Sequence, residues 1–205
     1  MALTFIGFSG SGKSHYSRVL EKDYAWSRID CDTLILHALN SKENINLLTL
    51  PEIATWHGSP SDSDFARRDK LLLDLEHQVM LNIFGENQFT RSTVIDTSGS
   101  FVLLPEDTIL KFKAMSKIIH FRYEDIDIDR MIEQYFIDPK PVIWQHLYQP
   151  REGEEYLESI KRCYVDLVQY RRKLYDKYAD ITIDISFSKR GEVNIKELLE
   201  GYEIL

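Results

Sequence analysis

The segment Leu3 to Ser14, LTFIGFSGSGKS, constrains this chain more than any other stretch. The apolar run from Leu3 to Phe8 reads as a short β-strand entering a glycine-rich turn, and a helical pattern follows from Lys13. Gly7, Gly12, Lys13 and Ser14 satisfy G-x-x-x-x-G-K-S/T, the pattern of a phosphate-binding loop. The residue types follow from the chemistry. Glycines let the backbone curl, so that N–H groups along Gly7, Ser9, Gly10, Ser11, Gly12 and on to His15 point at phosphate oxygens, which the helix N-terminus also attracts. Lys13 is then placed to hold β- and γ-phosphates, and the Ser14 hydroxyl to ligate Mg²⁺. The bland alternative is a Gly/Ser turn, and the strand before and helix after it argue against that.

At 205 residues the chain has the size of one ordinary domain with a sizeable core. No run of eighteen apolar residues occurs, so no membrane-spanning helix is expected. Cleavage of a leader would remove a strand that begins at Leu3, so a cytoplasmic location is expected. The net charge of −8 and the lack of long basic runs argue against nucleic acid as a main partner. Cys31 and Cys163 lie far apart without metal-ligand spacing and read as buried thiols.

After the loop, a helix is expected to about Lys22, then a second strand from Trp26 to Ile29 that runs into Asp30-Cys31-Asp32. Carboxylates at the C-terminal end of a strand sit where open α/β sheets bind ligands, and alternation puts Asp30 and Asp32 on one face. The competing reading makes Asp32 the N-cap of a helix from Thr33 to Asn40. Further helices are expected at Leu50 to Trp56, opened by Pro51, and from Asp62 to about Phe84, with Leu72, Leu75, Val79 and Ile83 on one face. Arg67 and Arg68 fall in the first turns of the latter, either as solvated charges or as holders of an anionic substrate. Thr93 to Asp96 is the third strand, and its terminal Asp96 is placed to complete a Mg²⁺ shell opposite Ser14. Asp96-Thr97-Ser98-Gly99 also fits the D-x-x-G of a GTPase switch, but no N-K-x-D accompanies it.

Downstream, helices at Pro105 to Met115, Asp125 to Phe136, Glu154 to Tyr178 and Glu192 to Glu200 alternate with strands at Lys117 to Phe121 and Asp180 to Ile185. Arg171 stands out on the apolar stripe of the long helix. The proline-punctuated segment Ile137 to Gly153 carries Lys140 and Arg151 and reads equally as a mobile cover or a plain surface loop. The alternation predicts an α/β fold, a three-layer α/β/α arrangement around a five-stranded parallel sheet, in one domain. Residues 32–84 interrupt the rhythm as a helical lobe, and residues 137–153 interrupt it again.

Together these pieces resemble shikimate kinase and its relatives among the small P-loop kinases, over nearly the whole chain. GFSGSGKS resembles the family's GFMGSGKS, IDCDTLI its IDTDxLI, and VIDTSGSFVL its VIATGGGAVL. LPEIATWHGSPSDSDFARRD is a looser echo of IPEIF…GE…FRxxE; KPV at Lys140 stands where the lid carries RPL, and YRRKLYDKYADITID is similar to ERxPLYxExADxxVD. The resemblance implies that Asp30 tunes the Mg²⁺ shell and that Asp32 contacts the acceptor hydroxyl and takes its proton. It implies that Ser98, Gly99 and Ser100 line the acceptor pocket, that Arg171 binds the acceptor's carboxylate, and that Lys140 closes over the phosphates.

Three departures bear on the substrate. Ala66 replaces the arginine after phenylalanine in FRxxE, Ser-Gly-Ser replaces the glycine triplet, and Lys140 replaces the lid arginine. A site built on charge-assisted bonds discriminates steeply against a ligand that leaves them unmade. Arg67 and Arg68, through a shifted helix, are the candidates to take the lost arginine's place, a question the sequence leaves open. The expected activity is transfer of the γ-phosphoryl of ATP, with Mg²⁺, to a hydroxyl of a small polar or anionic metabolite. The rivals are a nucleoside or nucleotide kinase, with Trp56, Phe65 or Trp144 stacking a base, and an ATP-binding regulatory module without chemistry.

Overall fold

The structure is a computed structural model that describes residues 1–85, 89, 91–124, 128–185 and 194–201. Strand β1 (Ala2–Ile6) is buried at every position, which requires a central strand covered on both faces. It pairs in parallel with β3 (Thr93–Asp96) on one side and β4 (Ser116–Tyr123) on the other. Outer strands β2 (Ser27–Asp30) and β5 (Ile181–Ile185) complete a parallel sheet of order β2-β3-β1-β4-β5.

Two apolar layers cover this sheet. On one face, Tyr16 and Leu20 of α1 (Lys13–Tyr24) and Ile195 and Leu199 of α8 (Ile195–Gly201) pack with Leu3, Phe5 and Ile183. The other face is covered by α2 (Cys31–Glu43), α4 (Phe65–Gly85), α5 (Glu106–Met115) and α7 (Tyr156–Tyr178), with α3 (Leu50–His57) and α6 (Ile128–Ile137) at its margins. This is the expected three-layer α/β/α architecture. The strand order reverses direction at β1, and a ligand crevice opens beyond the carboxyl ends of the strands at such a switch point. The glycine-rich loop leaves β1 there.

Local chemistry sets several boundaries differently from expectation. β1 stops at Ile6, so Gly7 and Phe8 belong to the loop rather than the strand. The second helix starts at Cys31, and its N-cap is Asp30, which accepts from the Thr33 N–H at 3.1 Å; Asp32 is in the first turn and is not the cap. Asp30 therefore ends a strand while Asp32 opens a helix, and strand alternation does not relate them. α4 begins at Phe65 because the preceding residues close tight turns, Asp62 N–H to Ser59 O and Phe65 N–H to Asp62 O. α3 has Pro51 in its first turn and a Thr49–Glu52 capping box. The expected starts of α6 at Asp125 and of α8 at Glu192 lie outside the described residues. Among the described residues no helix is long and apolar enough to cross a membrane.

Candidate active site

The loop is locked at its entry. Gly7 has φ +139°, and a Cβ there would meet the Phe121 carbonyl oxygen of β4 at 2.5 Å, so only glycine fits. Gly12, at φ 97°, is the N-cap of α1 and turns the chain into it. Ser11 is buried and its Oγ has no partner, a polar atom left for a ligand. Lys13 is also buried, and its Nζ donates back to the carbonyls of Gly7 and Phe8 at 2.8 and 2.9 Å. Burial pulls the Lys13 pKa down, against the pull of Asp96 and Asp32. An ammonium held only by two loop carbonyls, beside an unpartnered hydroxyl and a helix N-terminus, fits a phosphate group.

Register brings the carboxylates together. Asp30 of β2 pairs directly with Asp96 of β3, so both stand at the sheet's carboxyl end. Arg28, two residues before Asp30 on the same strand face, bridges them. Its Nη2 donates to Asp30 Oδ2 and Asp96 Oδ2, both at 2.7 Å, and its Nε to Ser17 Oγ at 2.8 Å. Ser17 in turn donates to Asp96 at 3.0 Å and to the Ser14 carbonyl at 3.3 Å, which ties the Ser14 turn to Asp96. The Ser14 Oγ and Asp96 Oδ1 are engaged by no described residue. A hydroxyl and a carboxylate oxygen beside a phosphate loop fit Mg²⁺, which keeps several waters and takes few protein ligands.

Arg28 was not singled out from the sequence, although the R-I-D alternation put it beside Asp30. Arg28→Met leaves Asp30 and Asp96 facing each other uncompensated, and is expected to destabilise the fold by about 2 kcal/mol in denaturant unfolding. Unchanged stability would mean that the bridge is idle.

A cavity of about 400 Å³ opens from the loop, and Ser9, Gly10, Lys13, Ser14 and His15 line one end of it. Asp32 projects into its middle with no hydrogen bond to any described residue. Although its surface opens into the cavity, its carboxyl is walled in by protein. Burial raises its pKa to about 6, with Lys13 opposing and Asp96 and Asp30 reinforcing. Lys140 and Pro141 cover the cavity, and Lys140 lies 3.9 Å from Asp138. The neighbouring Cys31 thiol is fully buried, and burial pushes its pKa well up, as suits a packing residue rather than a nucleophile.

Ser98, Gly99, Ser100, Arg171 and Glu76 form a further stretch of the cavity wall, and Gly99 stands against the loop, where a Cβ would lie 3.5 Å from the Ser9 nitrogen. Arg171, 4% exposed, donates from Nη1 to the Gly99 carbonyl at 3.1 Å and from Nη2 to the Ile143 carbonyl, while its Nε has no partner. Tyr175 also donates to the Gly99 carbonyl. Glu76 is buried, and it accepts from Ser98 Oγ on one carboxylate oxygen and Ser100 Oγ on the other, each at 2.5 Å. Burial raises the Glu76 pKa to about 7, against the two serine bonds. Glu76 was not among the expected site residues. The signal was present, since it stands one turn beyond Leu72 inside the apolar stripe of α4.

Arg67 and Arg68 do not reach the cavity, and the expectation that they hold the substrate is corrected. Arg67 is half exposed and pairs with Asp64 at 3.0 Å and Glu43 at 3.3 Å. Arg68 donates to the Trp56 carbonyl at 2.5 Å and to Asp64 at 3.0 Å, with its guanidinium 5.4 Å from the Trp56 ring centre. The cause is helical phase: Phe65, Asp69, Leu72 and Glu76 form the buried face, and residues 67 and 68 fall outside it. The aromatic candidates for base stacking, Trp56, Phe65 and Trp144, do not line the cavity either.

Residues 138–155 between α6 and α7 are held rather than free. Asp69 accepts from the Trp144 and Gln145 N–H groups at 3.0 and 2.9 Å, Trp144 is buried, and Arg162 donates to the Gln149 carbonyl at 2.7 Å. The strap is therefore anchored at Trp144 while Lys140 to Ile143 border the cavity.

No protein-family model matches the chain. It is 24% identical over 203 residues to a shikimate kinase of Moorella thermoacetica, covering 98% of this chain and 95% of that protein. Among solved structures, shikimate kinase from Acinetobacter baumannii in complex with shikimate superposes with a TM-score of 0.59 at 18% identity, covering 98% of this chain and 93% of the other. Shikimate kinase from Bacteroides thetaiotaomicron gives a TM-score of 0.60 at 15% identity, covering 99% and 98%. At these identities the structural likeness speaks for the fold.

Proposed function

We propose that this chain, shikimate kinase-like in sequence and fold, is an ATP-dependent kinase that phosphorylates a hydroxyl of a small polar or anionic metabolite. One observation carries the reading: a phosphate loop with a buried lysine, a cavity-facing carboxyl, Asp32, and a polar wall of Ser98, Ser100, Glu76 and Arg171 line one cavity. Mg-ATP, when bound, supplies the γ-phosphoryl group and the divalent charge. The residues of the chain do the rest. The amides from Gly7 to His15 and the Lys13 ammonium neutralise charge on the phosphoryl oxygens, with Ser14, Asp30 and Asp96 around the cation. Asp32 orients the acceptor hydroxyl and takes its proton. Ser98, Gly99, Ser100 and Arg171 hold the body of the acceptor, and Lys140 closes over the phosphates and helps exclude water.

In this reading the chain is a single kinase domain, with residues 32–84 as acceptor lobe and 137–153 as lid, working in the cytoplasm. The test is ADP release from Mg-ATP with shikimate beside a panel of hydroxylated acids, sugars, amines and nucleosides. Asp32→Asn is expected to lower kcat by roughly 10²-fold or less, because a loose phosphoryl-transfer transition state needs little from a base. Nucleoside-stimulated turnover would favour a nucleoside kinase. Tight nucleotide binding with silence across the panel would favour a regulatory module.

A further inference from the structure

The cavity wall beside Ser98 and Ser100 carries a buried carboxyl with no counter-ion among the described residues. Glu76 is 1% exposed and bonded only to the hydroxyls of Ser98 and Ser100. Among the described residues no Lys, Arg or His lies within ion-pair distance of it. Arg171 is the cation nearest in effect, and two of its three nitrogens are committed to the carbonyls of Gly99 and Ile143. A buried carboxyl either keeps its proton or is paired with a cation or a metal, because an unpaired charge removed from water is too costly. Each carboxylate oxygen accepts about two hydrogen bonds, so the serine hydroxyls leave one acceptor position on each oxygen. Glu76 and Asp32 repel a carboxylate from their side of the cavity, whose cations are Lys13, Lys140 and Arg171.

We infer that Glu76, clamped by Ser98 and Ser100, is the specificity residue of the acceptor end and selects a hydroxylated small molecule that bears an amino group. The ammonium of that acceptor completes the carboxylate's bonding and supplies its missing counter-charge. The Arg171 Nε–H, which has no partner in the protein, donates to one of the acceptor's hydroxyl oxygens. Ile53, Leu72 and Leu167 give the apolar wall against which a carbon ring or chain rests. This inference rests on the kinase reading and sharpens it: the acceptor is an amino alcohol, amino sugar or aminocyclitol rather than a hydroxy acid.

The experiment is calorimetric titration of the Mg-ADP-loaded protein with two matched series: glucosamine, glucose and glucuronate, and shikimate with its aminomethyl and hydroxymethyl counterparts. The aminated member of at least one series is expected to bind tighter than its carboxylated member by on the order of tenfold to a hundredfold. Glu76→Gln is expected to abolish that preference, bringing the aminated and carboxylated members to within about threefold of one another. Should that variant fail to fold, Ser100→Ala, which removes half of the clamp, is expected to reduce the preference severalfold. Carboxylated members binding as well as aminated ones, a preference that survives Glu76→Gln, or no aminated probe binding at millimolar concentration would each overturn the assignment. Mg-ADP binding itself, and its loss in Lys13→Ala, reports separately on the kinase reading.

Discussion

Replacement of Lys13 by alanine is expected to lower turnover by roughly 10³-fold or more, the largest effect of any single substitution in this molecule. The ammonium is the one cation buried inside the loop, and it donates to the carbonyls of Gly7 and Phe8. Desolvation already works against its charge, so removing it relieves the fold of a cost while breaking two hydrogen bonds. The melting temperature is therefore expected to move by only a few degrees while ADP release vanishes. Retained turnover in a folded Lys13→Ala protein would sink the loop assignment, and a collapse of the fold would recast Lys13 as a structural residue.

The second large effect is a pH-dependent stability that Glu76 imposes on the ligand-free protein. Its carboxyl titrates at about 7 in the folded chain against an ordinary value of 4.5, so between those values the folded state holds a proton that the unfolded state has released. Stability is thus highest below about pH 4.5, falls as pH rises toward 7, and stays low above it. The shift corresponds to roughly 3 kcal/mol at pH 8. Asp32 facing Glu76 from α2 adds to the shift, Arg171 from α7 opposes it, and the Lys13 ammonium and Cys31 thiol stand within the same field. Glu76→Gln removes this cost. Urea unfolding is expected to find the variant more stable than the parent by roughly 3 kcal/mol at pH 8 and nearly equal to it near pH 4. A constant difference across that range would show that Glu76 is not strained by its burial.

How much of this was legible depended on how far apart in the chain the cooperating atoms lie. The loop was readable because its residues are contiguous and each has a fixed task. Asp30 and Asp96 were readable because strand ends are where parallel sheets gather ligands, and register supplied their pairing. Arg28 became visible only once that register set Asp96 beside it, since the bridge joins residues 68 positions apart. Glu76 went unremarked in the amphipathic helix because its partners, Ser98 and Ser100, lie more than twenty residues on, just beyond β3. Arg67 and Arg68 misled because α4 buries the face of Phe65, Asp69, Leu72 and Glu76, which turns residues 67 and 68 toward Asp64 and Trp56.

The anchoring of Trp144 has a consequence for the entropy of closing the cavity. A free segment of the length that separates α6 from α7 would surrender roughly 1–2 kcal/mol per residue on being ordered over a ligand. Here Asp69 and Arg171 have already fixed the chain from Ile143 onward, and Asp138 is bonded to the end of α6. Only Pro139 to Val142 remains between the two fixed points, and Pro139 and Pro141 have their φ angles set by their rings. Most of the ordering cost is thus met when the protein folds, so if Lys140 closes over the phosphates as proposed, its contacts would be retained largely as affinity.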